Sequence, residues 1–296
     1  MSEGRARSGR QARQAERAQK GGGMGRPYIV RNIPTYDVLS EENLLKVEAA
    51  ADRILAETGI EFRDDPQLLD MWRKAGAKVD GLLVKFEPGM LREILATAPA
   101  EFTQHARNPA NSVRIGGKNV VFAPAYGSPF VMDLDRGRRF GTIEDFRNFI
   151  MMAQSSPNFH HSGGTICEPT DVPVNKRHLD MVMAHIELSD RPFMGSVTAE
   201  ERSEDSIEMC RILFGHDFVD QNCVILGNVN VNSPLVWDGT MTNSLRAYAR
   251  ANQAAVVVPF ILGGAMGPVT NAGGIAQSLA ETMAGCALTQ LERKGA

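Results

Sequence analysis

The stretch Ala254–Ala296, AAVVVPFILGGAMGPVTNAGGIAQSLAETMAGCALTQLERKGA, decides the fold class. It reads as an apolar strand, a glycine-rich turn and a long helix, which together make one βα unit. Val256, Val257 and Val258, followed by Phe260, Ile261 and Leu262, leave no polar face. That pattern fits a parallel strand covered on both sides, whereas antiparallel strands tend to alternate. Parallel α/β folds bind ligands at the carboxyl ends of their strands. Gly263 and Gly264, which end this strand, are therefore candidate substrate-binding positions where backbone and ligand can approach closely.

Working back from this unit, four similar runs recur: VVFAPAYG from Val120, NFHHSGGTI from Asn158, PFMGSV from Pro192 and CVILGNVNV from Cys223. Helical patterns begin near Thr142, Asn175, Glu200, Thr240 and Thr270. Strands spaced about 30 to 38 residues apart with helices between them imply right-handed crossovers and a parallel sheet. The fold class is α/β. A barrel and an open sheet both satisfy this order. No strand ends in GxGxxG, and polar residues emerge at several strand ends, which favours a partial TIM (β/α)8 barrel comprising its first five units over residues 118–296.

Ahead of the barrel, residues 31–117 read as a mostly helical N-terminal domain. Ser40 is the N-cap of a helix that ends at Gly59 and carries an apolar stripe of Leu44, Val47, Ala51, Ile54 and Leu55. Further helices span Asp65 to Ala75 and Pro88 to Ala98, with a short hairpin over KVDGLLVKF between them. Residues 1–30 are arginine-rich and end near a triple glycine. They read as a basic tail, with an organellar transit peptide as the alternative.

The formal net charge of −3 provides no basic excess for nucleic acid, so a small-molecule ligand is expected. There is no run of about 20 apolar residues for a membrane span. Four scattered cysteines form no CxxC pair, which points to a reducing cytoplasm and to neither a zinc knuckle nor a disulfide framework.

Four segments taken together, APAYGSPFVMDLDRGRRFGTIEDF from Ala123, SGGTICEPTDVP from Ser162, NSPLVWDG from Asn232 and PFILGGAMGPVTNAGG from Pro259, resemble the trimethylamine methyltransferase (MttB-like) superfamily. The resemblance runs from about Arg31 to the end. Family members carry a complete TIM barrel, of which this chain resembles roughly the first three fifths. The resemblance implies methyl transfer from a methylated amine or betaine, such as trimethylamine or glycine betaine, to the cobalt of a partner corrinoid protein docked over the barrel mouth. The corrinoid cofactor is then carried by that partner and not held tightly by this chain. Pyrrolysine, which trimethylamine-using members carry in the later half of the barrel, falls beyond the matched region, so the donor stays open. A truncated barrel leaves an exposed strand edge, from which a homo-oligomer is expected. The rival reading is a fragment that binds a betaine or the corrinoid protein without transfer.

Such chemistry asks for positioning and a field that favours a cation more than for an acid–base pair, and no catalytic acid, base or metal ligand is assigned. Asn228, Asn230 and Asn232 stand two apart and form a polar ladder, either for a substrate headgroup or for strand-end turns. His160 and His161 face opposite ways and cannot chelate a metal as a pair. His160 either lines the pocket or is a hydrogen-bonded core histidine. Glu168 supplies a negative field at the mouth or is a solvated loop carboxylate. Tyr126 and Trp237 offer aromatic faces for a quaternary ammonium, with core packing as the competing reading. The segment from Asp133 to Arg139 is a mouth element that either meets the partner or is a plain solvated hairpin.

Overall fold

A computed structural model describes residues 29–296, so nearly all of the expected basic tail lies outside the described residues. The N-terminal portion contains more strand than its sequence suggests. Strand β1 (Ile29–Val30) is followed by helix α1 (Glu41–Arg53), whose N-cap Ser40 accepts from the Asn43 amide at 3.4 Å. The helix widens into a π turn over Ile54–Thr58 and stops at Gly59, where φ is +84°. A Cβ there would lie 2.7 Å from the Val84 carbonyl oxygen, so glycine is required both by conformation and by space. Ala51 and Leu55 are buried, whereas Leu44 is 49 % exposed and falls outside the stripe.

Strand β2 (Ile60–Phe62), helix α2 (Pro66–Ala75), the hairpin β3 (Lys78–Asp80) and β4 (Leu83–Lys85), and a short α3 (Met90–Leu95) complete this lobe. Phe62, Trp72 and Phe86 form its aromatic centre, with Trp72 edge-on to Phe86 at 4.9 Å. Strands β5 (Glu101–Gln104) and β6 (Val113–Gly116) pair antiparallel, and β7 (Asn119–Val120) pairs with β1. Next comes the hairpin β8 (Phe130–Asp133) and β9 (Gly137–Phe140). Arg139 grips Asp145 at 2.5 Å and Asp133 at 3.0 Å; it holds the Asp145 carboxyl well below the usual carboxylate range, while the Asp133 carboxyl is lowered chiefly by the Arg136 backbone amide. Asp145 also closes a capping box with Thr142 at the start of α4 (Ile143–Ser155).

From here helices alternate with strands: α5 (Val174–Leu188), β10 (Phe193–Gly195), α6 (Glu200–Phe214), α7 (His216–Gln221), β11 (Ile225–Val231), β12 (Val236–Trp237), α8 (Gly239–Arg250), β13 (Ala254–Pro259) and α9 (Asn271–Glu292). β10, β11 and β13 form a parallel sheet in chain order, with Gly195 beside Gly227 and Asn228 beside Val256.

The first two expected strands are not regular strands, yet they extend this sheet. Ser162 and Met194 amides donate to the Pro192 and Gly163 carbonyls at 2.9 Å, laying residues 160–168 beside β10. The Gly127 amide donates to Thr165 and the Glu168 amide to Ser128, laying residues 122–128 beside 160–168. Gly163 at φ +96° breaks the extended run, and Pro124 and Pro129 remove ladder donors from its neighbour. Five segments thus stand side by side in the order in which they occur along the chain. The order never reverses, as it would in a doubly wound sheet. Among the described residues the sheet does not close into a barrel.

Two features tie the lobes together. β12 leaves the β11 loop and joins the N-terminal sheet beside β2. Arg246 of α8 is buried between Asp65, which caps α2, at 3.0 Å and Glu292 of α9 at 2.7 Å. One continuous core accordingly includes Phe62, Trp72 and Phe86 together with Ile225, Leu245, Tyr248 and Leu288. The outer edge of β13 has no partner among the described residues, and Val256 beside it is 41 % exposed. No helix of the described residues is long and apolar enough to cross a membrane.

Candidate active site

Register sets which residues face the concave side of the sheet. A Cβ at Gly195 would lie 2.4 Å from the Tyr248 hydroxyl, and one at Gly227 would lie 2.8 Å from the Tyr248 ring. Tyr248 therefore packs on the helix side, and alternation turns Asn228 and Asn230 to the concave side. Asn228 is half-buried and Asn230 exposed. Asn232 leaves the ladder: its amide donates to Asp238 at 2.9 Å, and Asp238 caps α8 through the Met241 amide. The turn-chemistry reading applies to that residue.

Tyr126 arrives beside Asn228 from the first strand segment. Its ring lies over Gly164, where a Cβ would be 2.7 Å from Cε2, so only glycine leaves room for it. The Thr165 hydroxyl donates to Tyr126 Oη at 3.5 Å. Burial pushes the phenol up, while hydrogen bonding from Thr165 and Asn228 partly offsets this. The residue as a whole is still 37 % exposed, so it remains within reach of a ligand.

Glu168 does not stand free at the mouth. Arg177 of α5 pairs with it, and the same guanidinium donates to the Val172 carbonyl at 2.9 and 3.1 Å, fixing the loop between them. The expected bare negative field is thus largely neutralised. His160 is buried, accepts from the Phe122 amide at 3.0 Å and stacks on the Phe122 ring, as a hydrogen-bonded core histidine would. His161 accepts from the Gly163 amide at 2.9 Å, and burial lowers its pKa to about 3.

Sequence reasoning missed His185, which has no motif around it on α5. Its Nε2 donates to the Gly164 carbonyl at 3.1 Å, which places Nδ1 as the acceptor for the Ser162 hydroxyl at 2.9 Å. Burial lowers its pKa to about 4. These two neutral histidines set the turn on which Tyr126 rests.

Trp237 is placed elsewhere. It is fully buried in the core against α9, where a Cβ at Gly285 would meet its ring at 2.5 Å, and it presents no face to a ligand. The β11 loop that carries it is held by the buried Glu281 carboxylate, which accepts from Ser233 at 2.6 Å, Leu235 at 2.7 Å and Gln277 at 2.9 Å. Gly263 and Gly264 form an exposed turn past β13, closed by the Gly264 amide donating to Gly267 at 3.0 Å. They lie at the correct end of the sheet, and nothing approaches a Cβ at Gly263 closer than the Pro268 oxygen at 3.8 Å.

The structure thus brings Tyr126, Asn228 and Thr165 together, with Glu168 nearby and Asn230 one step along. A small cleft opens beside Thr165, between α5 and the ends of the second and third strand segments. A larger hollow near Thr103, Cys223 and Gln290 lies at the opposite, amino-terminal end of the strands, away from where parallel sheets bind ligands. Among the described residues no group of three or more His, Cys, Asp or Glu converges to hold a metal ion.

The family model for trimethylamine methyltransferase (MTTB) matches residues 6–296. The chain belongs to this family. Its relatives include glycine betaine methyltransferase of Desulfitobacterium hafniense (strain Y51), 43 % identical over 259 residues that cover 87 % of this chain and 54 % of that protein. A proline betaine:corrinoid methyltransferase of Eubacterium limosum is 24 % identical, covering 82 % and 51 % respectively. Trimethylamine methyltransferase MttB of D. hafniense (strain DSM 10664 / DCB-2) is 22 % identical, covering 87 % and 52 %. The chain spans about half the length of these relatives. Tyr126, Gly164, Thr165 and Asn228, as members of a methyltransferase-family fold, form the best-defined constellation at its strand ends.

Proposed function

We propose that this chain belongs to a methyltransferase that moves a methyl group from a methylated amine or betaine to the cobalt of a separate corrinoid protein. The observation that carries this reading is the cluster of Tyr126, Thr165 and Asn228 on the first, second and fourth parallel strand segments, in a chain of this family. The five ordered segments are read as the leading arc of a TIM barrel (118–296), with the N-terminal lobe (31–117) packed against it. The open β13 edge is filled by further chain or by a second copy. Its setting is the cytoplasm.

The cobalt centre of the partner supplies the nucleophile. The residues of this chain hold the donor. An aromatic face at Tyr126 attracts a quaternary ammonium, contributing about 0.5–2 kcal/mol depending on desolvation. The Thr165 hydroxyl and the Asn228 amide are neutral, so they orient the headgroup without withdrawing a proton from it. The Gly164 turn beneath the ring, held by His185 and Ser162, keeps the face preorganised. The open concave surface fits a macrocycle arriving on another protein.

The test uses glycine betaine labelled with ¹³C in its methyl groups, mixed with the chain and reduced cobalamin. Appearance of dimethylglycine, reduced by Tyr126→Ala and by Asn228→Ala, supports the reading. Ligand binding with no dimethylglycine, even with a corrinoid protein present, favours the non-catalytic alternative.

A further inference from the structure

The hairpin β8–β9 takes no part in the Tyr126 cluster, and its two faces differ. Its strands form a two-stranded sheet of their own. Register sets Val131 opposite Arg139 and Asp133 opposite Gly137, and this face turns inward: Val131 is 7 % exposed and Arg139 is tied to Asp133 and Asp145. The other face pairs Phe130 with Phe140, whose rings lie 4.8 Å apart, and Met132 with Arg138. It looks to solvent. Met132 is 78 % exposed and Phe140 59 %, and Leu134 at the tip is fully exposed. A hairpin face that met only water would carry polar residues at these positions, whereas grouped exposed apolar side chains mark a contact surface.

The charges on this face identify what it contacts. Arg136 is engaged by Asp133 at 3.2 Å. Arg138 lies over the Phe130 ring, 3.6 Å from its centroid, and forms no ion pair among the described residues; the exposed Asp135 carboxylate at the tip forms none either. The surface therefore combines apolar side chains with one unused cation and one unused anion. A partner of a single charge sign satisfies one and repels the other. A second copy of the same surface satisfies both, because a two-fold axis passing between Asp135 and Arg138 sets each against its opposite in the other copy.

We propose that the outer face of β8–β9 is a homodimer contact, in which Met132, Leu134 and Phe140 of two copies pack about a two-fold axis and Asp135 of each copy pairs with Arg138 of the other. The proposal does not depend on the identity of the methyl donor. It is also separate from the open β13 edge, which lies at the far end of the sheet. A hairpin of this length covers less than the ~800 Å² per partner of a standard interface, so the dimer is weak, with a Kd of micromolar order or above. Only the exposed turn from Gly127 to Pro129 separates Tyr126 from the hairpin, so the contact borders the mouth of each copy.

Sedimentation equilibrium of the 296-residue chain, from about 1 to 300 µM, brackets an interface of this size. Wild type is expected to pass from monomer to dimer across that range. Asp135→Arg and Arg138→Asp each place like charges in contact, and each is expected to weaken the dimer about 10- to 100-fold. Mixing these two variants restores both opposite-charge contacts, so the mixture is expected to dimerise where neither variant does alone. Met132→Lys weakens the dimer without rescue, and Val256→Lys at the β13 edge leaves it unchanged. A thermal melt of each variant establishes that it folds. A wild type that stays monomeric throughout, including one whose hairpin is instead covered by a corrinoid protein, overturns the proposal. So does a dimer indifferent to the hairpin substitutions or abolished by Val256→Lys. Weakening by each charge reversal with no rescue in the mixture overturns the two-fold pairing of Asp135 with Arg138.

Discussion

Arg246→Ala is the substitution that most severely tests how the two lobes are joined. The guanidinium is 4 % exposed and lies between Asp65, also 4 % exposed, and Glu292 at 11 %. Alanine leaves two carboxylates in the interior without their cation. Asp65 keeps the Leu68 amide as a donor, while Glu292 retains only the more exposed Arg250 at 3.3 Å. Breaking a buried pair by deleting one partner costs about 3–5 kcal/mol. In a domain of this size that lowers the melting midpoint by roughly 6–20 °C. Urea unfolding followed by the fluorescence of Trp72 and Trp237, both in the core, reads the change directly. Loss of Arg63, which pairs with Glu61 at the surface, is expected to leave the midpoint unchanged. An Asp65→Asn, Arg246→Met double variant should recover part of the loss, because it removes one of the stranded charges together with its cation. A stability within 1 kcal/mol of wild type for Arg246→Ala, or two separate transitions in wild type, would refute the single-core description.

Acid sensitivity follows from His161 and His185. Both are neutral in the fold, with pKa values lowered by burial to about 3 and about 4, against an ordinary value near 6.5. Their contribution is complete above the ordinary value. It is lost as pH falls below it, by up to about 1.4 kcal/mol per pH unit for each histidine, because the unfolded chain binds the proton first. His161→Asn, which keeps an acceptor for the Gly163 amide, should flatten the slope of urea stability between pH 6 and 5, and an unchanged slope would count against this origin. Burial raises all four thiols, Cys167 and Cys223 to about 12. Native chain at pH 8 should therefore react slowly with a thiol reagent and denatured chain should give four equivalents quickly; rapid labelling of Cys167 would contradict its placement. Gly164→Ala introduces a Cβ 2.7 Å from the Tyr126 ring and 2.9 Å from Met194, and Tyr126→Ala removes the ring. Each should weaken glycine betaine binding roughly 2- to 30-fold, and unaltered affinity in both would remove Tyr126 from the site.

The sequence exposed the βα rhythm because helix caps and apolar runs are local signals. Ser40, Asp65, Thr142, Asp238 and Thr270 all cap helices. It did not expose the irregular backbone of 122–128 and 160–168, where prolines and a left-handed glycine defeat strand geometry while leaving the pairing direction intact. Trp237 looked like an aromatic at a strand end. Its loop is instead recruited into the N-terminal sheet some 175 residues upstream in sequence, which no local pattern can report. Glu168 looked free because its partner, Arg177, lies on the next helix at a spacing with no periodic signature. Tyr126 and Asn228 were legible since alternation and strand ends place them; Thr165, an ordinary surface residue type, became visible only through what it adjoins.

A crystal structure of the chain soaked with glycine betaine would locate the donor directly. The expected result is a quaternary ammonium within about 6 Å of the Tyr126 ring centroid, flanked by Thr165 and Asn228. Ligand ordered at the opposite end of the strands, or no ligand at the strand ends under saturating conditions, would contradict the placement of the site.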